Sequence, residues 1–404
     1  MKTLDVYMNH DLVGALEETN DGELRFQYAP GWLERDDAVP LSRMLPLSPD
    51  FYENKHARAF FAGILPEAAP RAAIARILGI SEGNDFAMLE RIGGECAGAV
   101  SLLPKGWSPQ QTETSVRVLE EEELAQIIAA LPRRPLMAGE AGVRLSLAGA
   151  QDKLPVVMDG DTISLPLGNT PSTHIIKPEP AEYKGLAANE AFCMELARSV
   201  GLRCAETTLR IIHNIPCLIV TRYDRKPGPD GVVTRLHQED FCQAQGRPPE
   251  RKYQQEGGPT AKECIELLRT WSTTPVLDIP AFLDALCFNL LIGNADAHGK
   301  NFSMLYAHGK RFMAPLYDLV STIMWPDLST RLAMKIGYSD AANDLNLANF
   351  KRLAGEGELG WAMVKERVTS LADRMQNAAA ATKSPPRLAK TIRSRCEQLL
   401  HLAQ

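Results

Sequence analysis

What the sequence lacks narrows its chemistry. None of its eight cysteines (Cys96, Cys193, Cys204, Cys217, Cys242, Cys264, Cys287 and Cys396) forms a CxxC pair, and most lie in apolar surroundings such as Ala-Phe-Cys193-Met. That argues against a zinc site or a disulfide framework and for buried free thiols in a reducing cytosol. There is no Walker A loop and no GxGxxG run, so neither common nucleotide fingerprint applies. No stretch approaches the ~18 consecutive apolar residues of a membrane helix, and no membrane role is expected. Asp5 interrupts the opening MKTLDVYMNH, which does not read as a secretory signal. An excess of positive charge is lacking too. Lys+Arg number 44 and Asp+Glu 50, a formal net charge of −6, so the chain as a whole is not built to coat nucleic acid. Any DNA contact is local or comes through a partner.

What is present is an ordinary globular composition, 45% hydrophobic and 23% charged. A chain of 404 residues exceeds one simple core and implies two or three packed units. Residues 3–30 carry two alternating segments around the turn-forming ETNDGE and read as a strand meander. From His56 to Leu78 apolar residues recur at helical spacing, and Pro66 and Pro70 divide the stretch into two short helices. A helix over 83–91 and the strand-like AGAVSLLP complete a unit with no evident chemistry of its own. Residues 106–118 read as an exposed loop, 119–131 as an amphipathic helix with acids in its first turn, and 132–142 as a linker. The strands VRLSLA, KLPVVM, ISLPL, HIIKP and CLIVTRY follow, with a helix from about Ala188 to Val200. From about Gln238 the strand signal nearly vanishes, and helices are expected near 260–270, 279–293, 345–355, 360–376 and 387–402. No internal repeat is evident. The expected fold is α+β and two-lobed, protein-kinase-like, with an all-α C-terminal lobe. Its expected units are an extra α/β subdomain at 1–130, a β-rich lobe at 143–235 and a helical lobe at 236–404.

Phosphoryl transfer from ATP needs backbone N–H groups and a lysine on the phosphates. It also needs Mg²⁺ on oxygen ligands and a carboxylate near the acceptor hydroxyl. Each part has a candidate. Asp296 and Asn301, five residues apart in GNADAHGKNF, have the spacing of the kinase catalytic base and its metal-binding asparagine. In isolation that spacing also suits a polar turn between helices. Asp318 in APLYDLVS follows 17 residues after Asn301 and resembles the metal-binding aspartate of kinases in role. Oxygen ligands from Asn301 and Asp318 suit hard Mg²⁺. Lys177 closes the apolar strand THIIKP, and Glu190 lies 13 residues on at the start of a helix. They resemble the kinase lysine–glutamate ion pair, although each is separately an ordinary strand-end or first-turn residue. The small residues of Ser146-Leu147-Ala148-Gly149-Ala150-Gln151-Asp152-Lys153 would let backbone N–H groups approach phosphates, and a tight hairpin is the bland alternative. All the parts stand in kinase order along the chain.

These segments resemble the HipA family, the serine/threonine kinase toxins of bacterial toxin–antitoxin pairs. The resemblance spans nearly the whole chain, from YMNHDLVGAL and FQYAPGWL through LPLS, GILPE, RIGGECAGAVSLLP, SLAGAQDKLP, THIIKP, RYDR, HQEDFCQ, EGGP, GNADAHGKNFS and PLYDLVS. SLAGAQDK and NADAHGKNF are the most specific. The resemblance implies Asp296 as catalytic base, Asn301 and Asp318 as Mg²⁺ ligands and Lys177 on the ATP phosphates. It implies Leu147, Ala148, Gly149, Ala150, Gln151 and Lys153 as the phosphate loop, and Thr221 and Tyr223, flanking Arg222, as the adenine hinge. The family often has an acid where this chain has Thr221. Ser146 matches the autophosphorylated serine, whose modification expels the loop and switches the family's kinases off. His298 and Lys300 lie within the catalytic loop and are expected beside the nucleotide, with His298 orienting the loop. Gln238, Glu239 and Asp240 are expected to support the site from the start of the helical lobe.

The resemblance also implies partners: a small helix-turn-helix antitoxin (HipB-like), with DNA bound mainly through that complex in operon autoregulation, and a protein substrate such as an aminoacyl-tRNA synthetase. The basic stretch KSPPRLAKTIRSR could touch DNA or the antitoxin, or be a solvated helix face. Two other readings stay open on the residues alone. One is a small-molecule kinase of the aminoglycoside or choline type. The other is a non-catalytic nucleotide-binding corepressor.

Overall fold

The computed structural model describes residues 2–111, 114–228, 231–381 and 385–402. Thr112 and Glu113 of the expected 106–118 loop, and Lys383 and Ser384 of the basic stretch, lie outside them.

The N-terminal meander is an antiparallel sheet ordered Leu24–Tyr28, Asp11–Glu18, Lys2–Met8, Val100–Pro104. Leu4, Val6, Val13, Leu16, Leu24 and Phe26 alternate inward and are buried, as a one-faced antiparallel sheet requires. Helices Asn54–Phe61, Ala68–Leu78 and Asp85–Ile92 belong to the same unit. Pro70 does not break the second helix. It sits in the first turn, where a missing N–H has no helical partner to lose.

A second, six-stranded antiparallel sheet is ordered Thr114–Val118, Thr162–Gly168, Leu154–Asp159, His174–Pro178, Ile215–Thr221, Thr207–Ile212. Its edge strand Thr114–Val118 lies in a stretch expected to be loop, because the strand is largely solvent-facing and lacks a buried alternate face. Helix Leu186–Ser199 packs against this sheet, as the glutamate-bearing helix of a kinase N-lobe does.

The C-terminal lobe is built on helices Ala261–Trp271, Pro275–Ile292, Leu347–Glu356, Trp361–Ala381 and Pro386–His401. Pro275–Ile292 is long and apolar enough by composition to cross a membrane, yet it carries Asp278 and Asp284 and is 67% buried within the protein as its central core helix. The lobe is not all-α, which corrects the sequence expectation. His237–Asp240, Ser303–Ala307 and Lys310–Met313 form a three-stranded sheet, and Arg331–Ile336 pairs with Ser339–Ala341. These strands are short, and two of them, HQED and KRFM, are too polar to show alternation. Their function is positional, because Ser303–Ala307 leaves directly from the loop that holds Asp296 and Asn301.

Two hydrophobic clusters stabilise the molecule. One joins the C-lobe, the Leu186–Ser199 helix and Leu218 and Val220 of the six-stranded sheet. The other joins the N-terminal meander to Leu154, Val156, Ile163, Leu165, Ile176 and Ile219 of the six-stranded sheet. The N-terminal unit and the β-rich lobe therefore share one core.

Candidate active site

Between the lobes lies a cleft of about 920 Å³. It is lined by Lys177, Glu190, Asp296, His298, Lys300, Asn301 and Asp318, by residues 147–153 and by Thr221, Arg222 and Tyr223. The cleft has the size range of a small-molecule site.

Lys177 is on the central strand His174–Pro178, paired with Leu218 across the sheet, and is buried. Its Nζ donates to Glu190 Oε1 at 2.8 Å and to Asp318 Oδ1. Two carboxylates thus share one ammonium. Burial opposes the lysine's charge, but Asp318 and Glu190 outweigh it and hold Lys177 protonated above its ordinary range. Burial alone would raise Asp318, yet Lys177 and Lys153 hold it down to about 2. Glu190, deeper in the protein, is pushed above the ordinary carboxylate range by burial. Asp318 has φ 55°, a left-handed conformation uncommon outside glycine and typical of constrained functional sites.

The catalytic loop follows the buried helix Pro275–Ile292, which ends at Gly293 with φ 72°. A Cβ there would meet the Ile323 side chain at 2.3 Å, so the chain turns where only glycine fits. Asp296 stands exposed at the cleft wall, with Oδ1 accepting from the Tyr253 hydroxyl at 2.7 Å. Asn301 Oδ1 accepts from the His298 N–H at 3.1 Å, and its Nδ2 lies 3.5 Å from Asp318 Oδ2. A carboxylate and a carboxamide side by side are oxygen donors of the kind Mg²⁺ takes, and Mg²⁺ characteristically completes its shell with phosphate oxygens and water. The chemistry of these two side chains therefore suits the ion, with Asn301 Oδ1 turned here to the His298 N–H. His298 is buried, its Nδ1 has no hydrogen-bond partner among the described residues, and burial lowers its pKa.

Segment 146–153 runs along the cleft and docks on the N-terminal unit. Gly149, at φ 108°, accepts the Glu67 N–H through its carbonyl at 3.2 Å. Lys153 Nζ donates to Ala148 O at 2.5 Å, and burial lowers its pKa to about 8. Ser146 does not face the cleft. It is fully buried, its N–H bonds Glu95 O at 2.8 Å and its Oγ bonds Ile64 O at 2.9 Å.

Lys300 lines the cleft but is buried. Its ammonium, expected beside the nucleotide, is taken by Gly63 O at 2.7 Å, Asp240 at 3.1 Å and Glu67 at 3.4 Å. Through Gly63 and Glu67 it also clamps the loop of residues 296–301 to the N-terminal unit. That unit was expected to have no chemistry, yet it supplies Gly63, Ile64 and Glu67 to the cleft. Glu67 also pairs with Lys252 at 2.7 Å. GILPE, ending at Glu67, carried the family resemblance, but nothing in its spacing pointed to residue 300.

The hinge is held by a buried ion cluster. Glu95 binds Arg222 at 3.1 Å, Arg225 at 2.8 Å and Arg235 at 2.7 Å, while Asp224 binds Arg222 at 2.8 Å. Burial opposes ionisation of Glu95, but the three guanidinium groups hold its pKa far below the usual carboxylate range. Arg222 is thus structural. Tyr223 stacks on Tyr317 with ring centroids 5.8 Å apart and donates to Gln238. Gln238 and Asp240 reach the cleft, and Glu239 is turned into the protein.

Residues 4–103 match the family described as the HipA N-terminal domain, and residues 145–382 the HipA-like C-terminal domain. This chain belongs to the HipA family. It is 44% identical over 384 residues to the putative kinase Y4mE of Sinorhizobium fredii, covering 94% of this chain and 91% of that relative. To the serine/threonine-protein kinase toxin HipA of Shewanella oneidensis it is 33% identical over 347 residues, covering 83% of this chain and 78% of the relative. The structure of Shewanella oneidensis HipA with HipB and its operator DNA superposes with a TM-score of 0.84 at 28% identity, over 99% of this chain and 96% of that one. The chain is accordingly a HipA-family protein kinase with the two-lobed α+β fold.

Proposed function

We propose that this HipA-family chain is an ATP- and Mg²⁺-dependent serine/threonine protein kinase with Asp296 as its base. The observation that carries the reading is Lys177 bridging Glu190 and Asp318 in the cleft that also holds Asp296 and Asn301. ATP, bound with Mg²⁺, supplies the phosphoryl group. Asn301 and Asp318 would hold the metal, Lys177 and the backbone of residues 147–153 would orient the phosphates, and Thr221 and Tyr223 would border the base. Asp296 would accept the proton of the acceptor hydroxyl as its oxygen bonds to phosphorus and ADP departs. Three units do this work: residues 1–130, 143–235 and 236–404.

The same reading makes the chain a cytoplasmic toxin that arrests growth by phosphorylating a cellular protein, an aminoacyl-tRNA synthetase being the class the family suggests. A HipB-like helix-turn-helix antitoxin would oppose it and carry it to operator DNA. HipB and operator DNA accompany the Shewanella structure, which supports that partner class. Ser146 would be its self-phosphorylation site. Because Ser146 is fully buried, the loop must leave its seat on Ile64 before that serine reaches any base.

The test is to incubate the unmodified protein with Mg²⁺-ATP and map phosphate by mass spectrometry. We expect label on Ser146, reduced roughly a hundred- to ten-thousand-fold in Asp296→Asn, the span of general-base catalysis. Protein that binds ATP yet gains no phosphate would overturn the self-kinase reading and favour a small-molecule kinase or a corepressor.

A further inference from the structure

Tyr253 stands where the catalytic loop meets the N-terminal unit. It precedes the turn Gln254–Glu256, and its hydroxyl donates to Asp296 Oδ1 at 2.7 Å. Asp296 Oδ2 has no protein partner among the described residues. The tyrosine ring is itself fixed. It meets the His298 ring edge-on, centroids 5.2 Å apart, and the Lys252 ammonium lies 5.5 Å from its centre. Lys252 is tied to Glu67 at 2.7 Å, and its carbonyl accepts the Gly299 N–H at 3.4 Å.

A general base must present one oxygen to the proton it removes. The terminal torsion of an aspartate is broad, so a free carboxylate swivels and presents either oxygen. A donor fixed on one oxygen sets the plane of the group and leaves the other facing the cleft. Burial and the Asp296 charge raise the Tyr253 pKa, so the phenol remains a donor at any working pH.

We propose that Tyr253 is a positioning residue for phosphoryl transfer: it pins Oδ1 of Asp296 and reserves Oδ2 for the acceptor hydroxyl. The proposal rests on the reading of Asp296 as base. It extends that reading, because the part of the chain that aims the base comes from outside the catalytic loop and is braced by the N-terminal unit.

The test uses the full chain and γ-labelled ATP, following self-labelling at saturating and limiting nucleotide. Tyr253→Phe removes one oxygen. It is expected to lower the maximal rate about ten-fold, the scale of one hydrogen bond to a charged group, with half-saturating ATP and the thermal midpoint unchanged. On an Asp296→Ala background the same substitution is expected to change nothing further, since no carboxylate is left to aim. An unchanged maximal rate in Tyr253→Phe, or an equal further loss on the Asp296→Ala background, would overturn the proposal while leaving the base in place. Faster labelling would also overturn it, by showing that the phenol competes with the acceptor. Asp296→Ala that labels like the wild type would remove the reading of the base, and this proposal with it.

Discussion

Replacing Lys177 by alanine would leave Glu190 and Asp318 without the ammonium that bonds them both. Like charges at that distance disfavour joint ionisation. We expect Lys177→Ala to weaken ATP binding about ten- to hundred-fold, the scale of a lost charge-assisted hydrogen bond, measured by calorimetry. The fold should persist, because Glu190, already pushed above the ordinary carboxylate range by burial, can take up a proton in place of the lost pairing. At this scale the sequence was informative where function sits in one short segment. Asp296 and Asn301 are five residues apart, and the proposed chemistry is read from that spacing. Tyr253 and Glu67 were illegible for the opposite reason. Tyr253 meets Asp296 across 43 residues, and Glu67 meets Lys252 across 185. A tyrosine or a glutamate carries no mark of so distant a partner.

The segment 146–153 behaves as an element that can be seated or released. Ser146→Asp would place a charge in a fully buried seat against the Ile64 carbonyl oxygen. We expect that variant to expose the segment to limited proteolysis and to weaken nucleotide binding, while Ser146→Ala stays protected. The strand His237–Asp240 offers a pH test. Burial pushes Glu239 up from 4.5 to about 7 and His237 down from 6.5 to about 4. As pH rises from 4.5 to 7 the folded state holds the Glu239 proton longer than the unfolded chain, so this residue lowers stability across that window. His237 acts oppositely: as pH falls from 6.5 to 4 the unfolded chain takes up its proton first, so stability declines toward the acid side. Glu239→Gln should therefore gain stability relative to wild type between pH 5 and pH 8, read by urea unfolding. The longer helices were legible to within a few residues because their 3.6-residue periodicity repeats over several turns. The C-lobe strands were not, since four or five residues rich in charge show no alternating face. Ser303–Ala307 is buried almost throughout, which leaves no polar side to alternate with.

For the whole molecule, Glu95 joins parts that lie far apart in the chain. Three arginines converge on it in a fully buried site. Glu95→Ala would strand their charges, and we expect a loss of about 3–5 kcal/mol in urea unfolding, as for other broken buried pairs. The cluster also joins the N-terminal unit to the hinge, so two-lobed architecture alone understates how the parts depend on one another. Kinase order along the chain made the lobes legible. The shared core was not, because strand patterns reveal which face is buried but not what covers it. That shared core has a practical consequence for handling the protein. Lys105, Gly106 and the exposed Trp107 form a surface turn between the two sheets' strands. A protease that cuts there severs the polypeptide but releases no fragment, because the halves are still glued through Leu4, Phe26, Leu154 and Ile176. Nicked material would run as two bands in denaturing gels and as one particle on a sizing column.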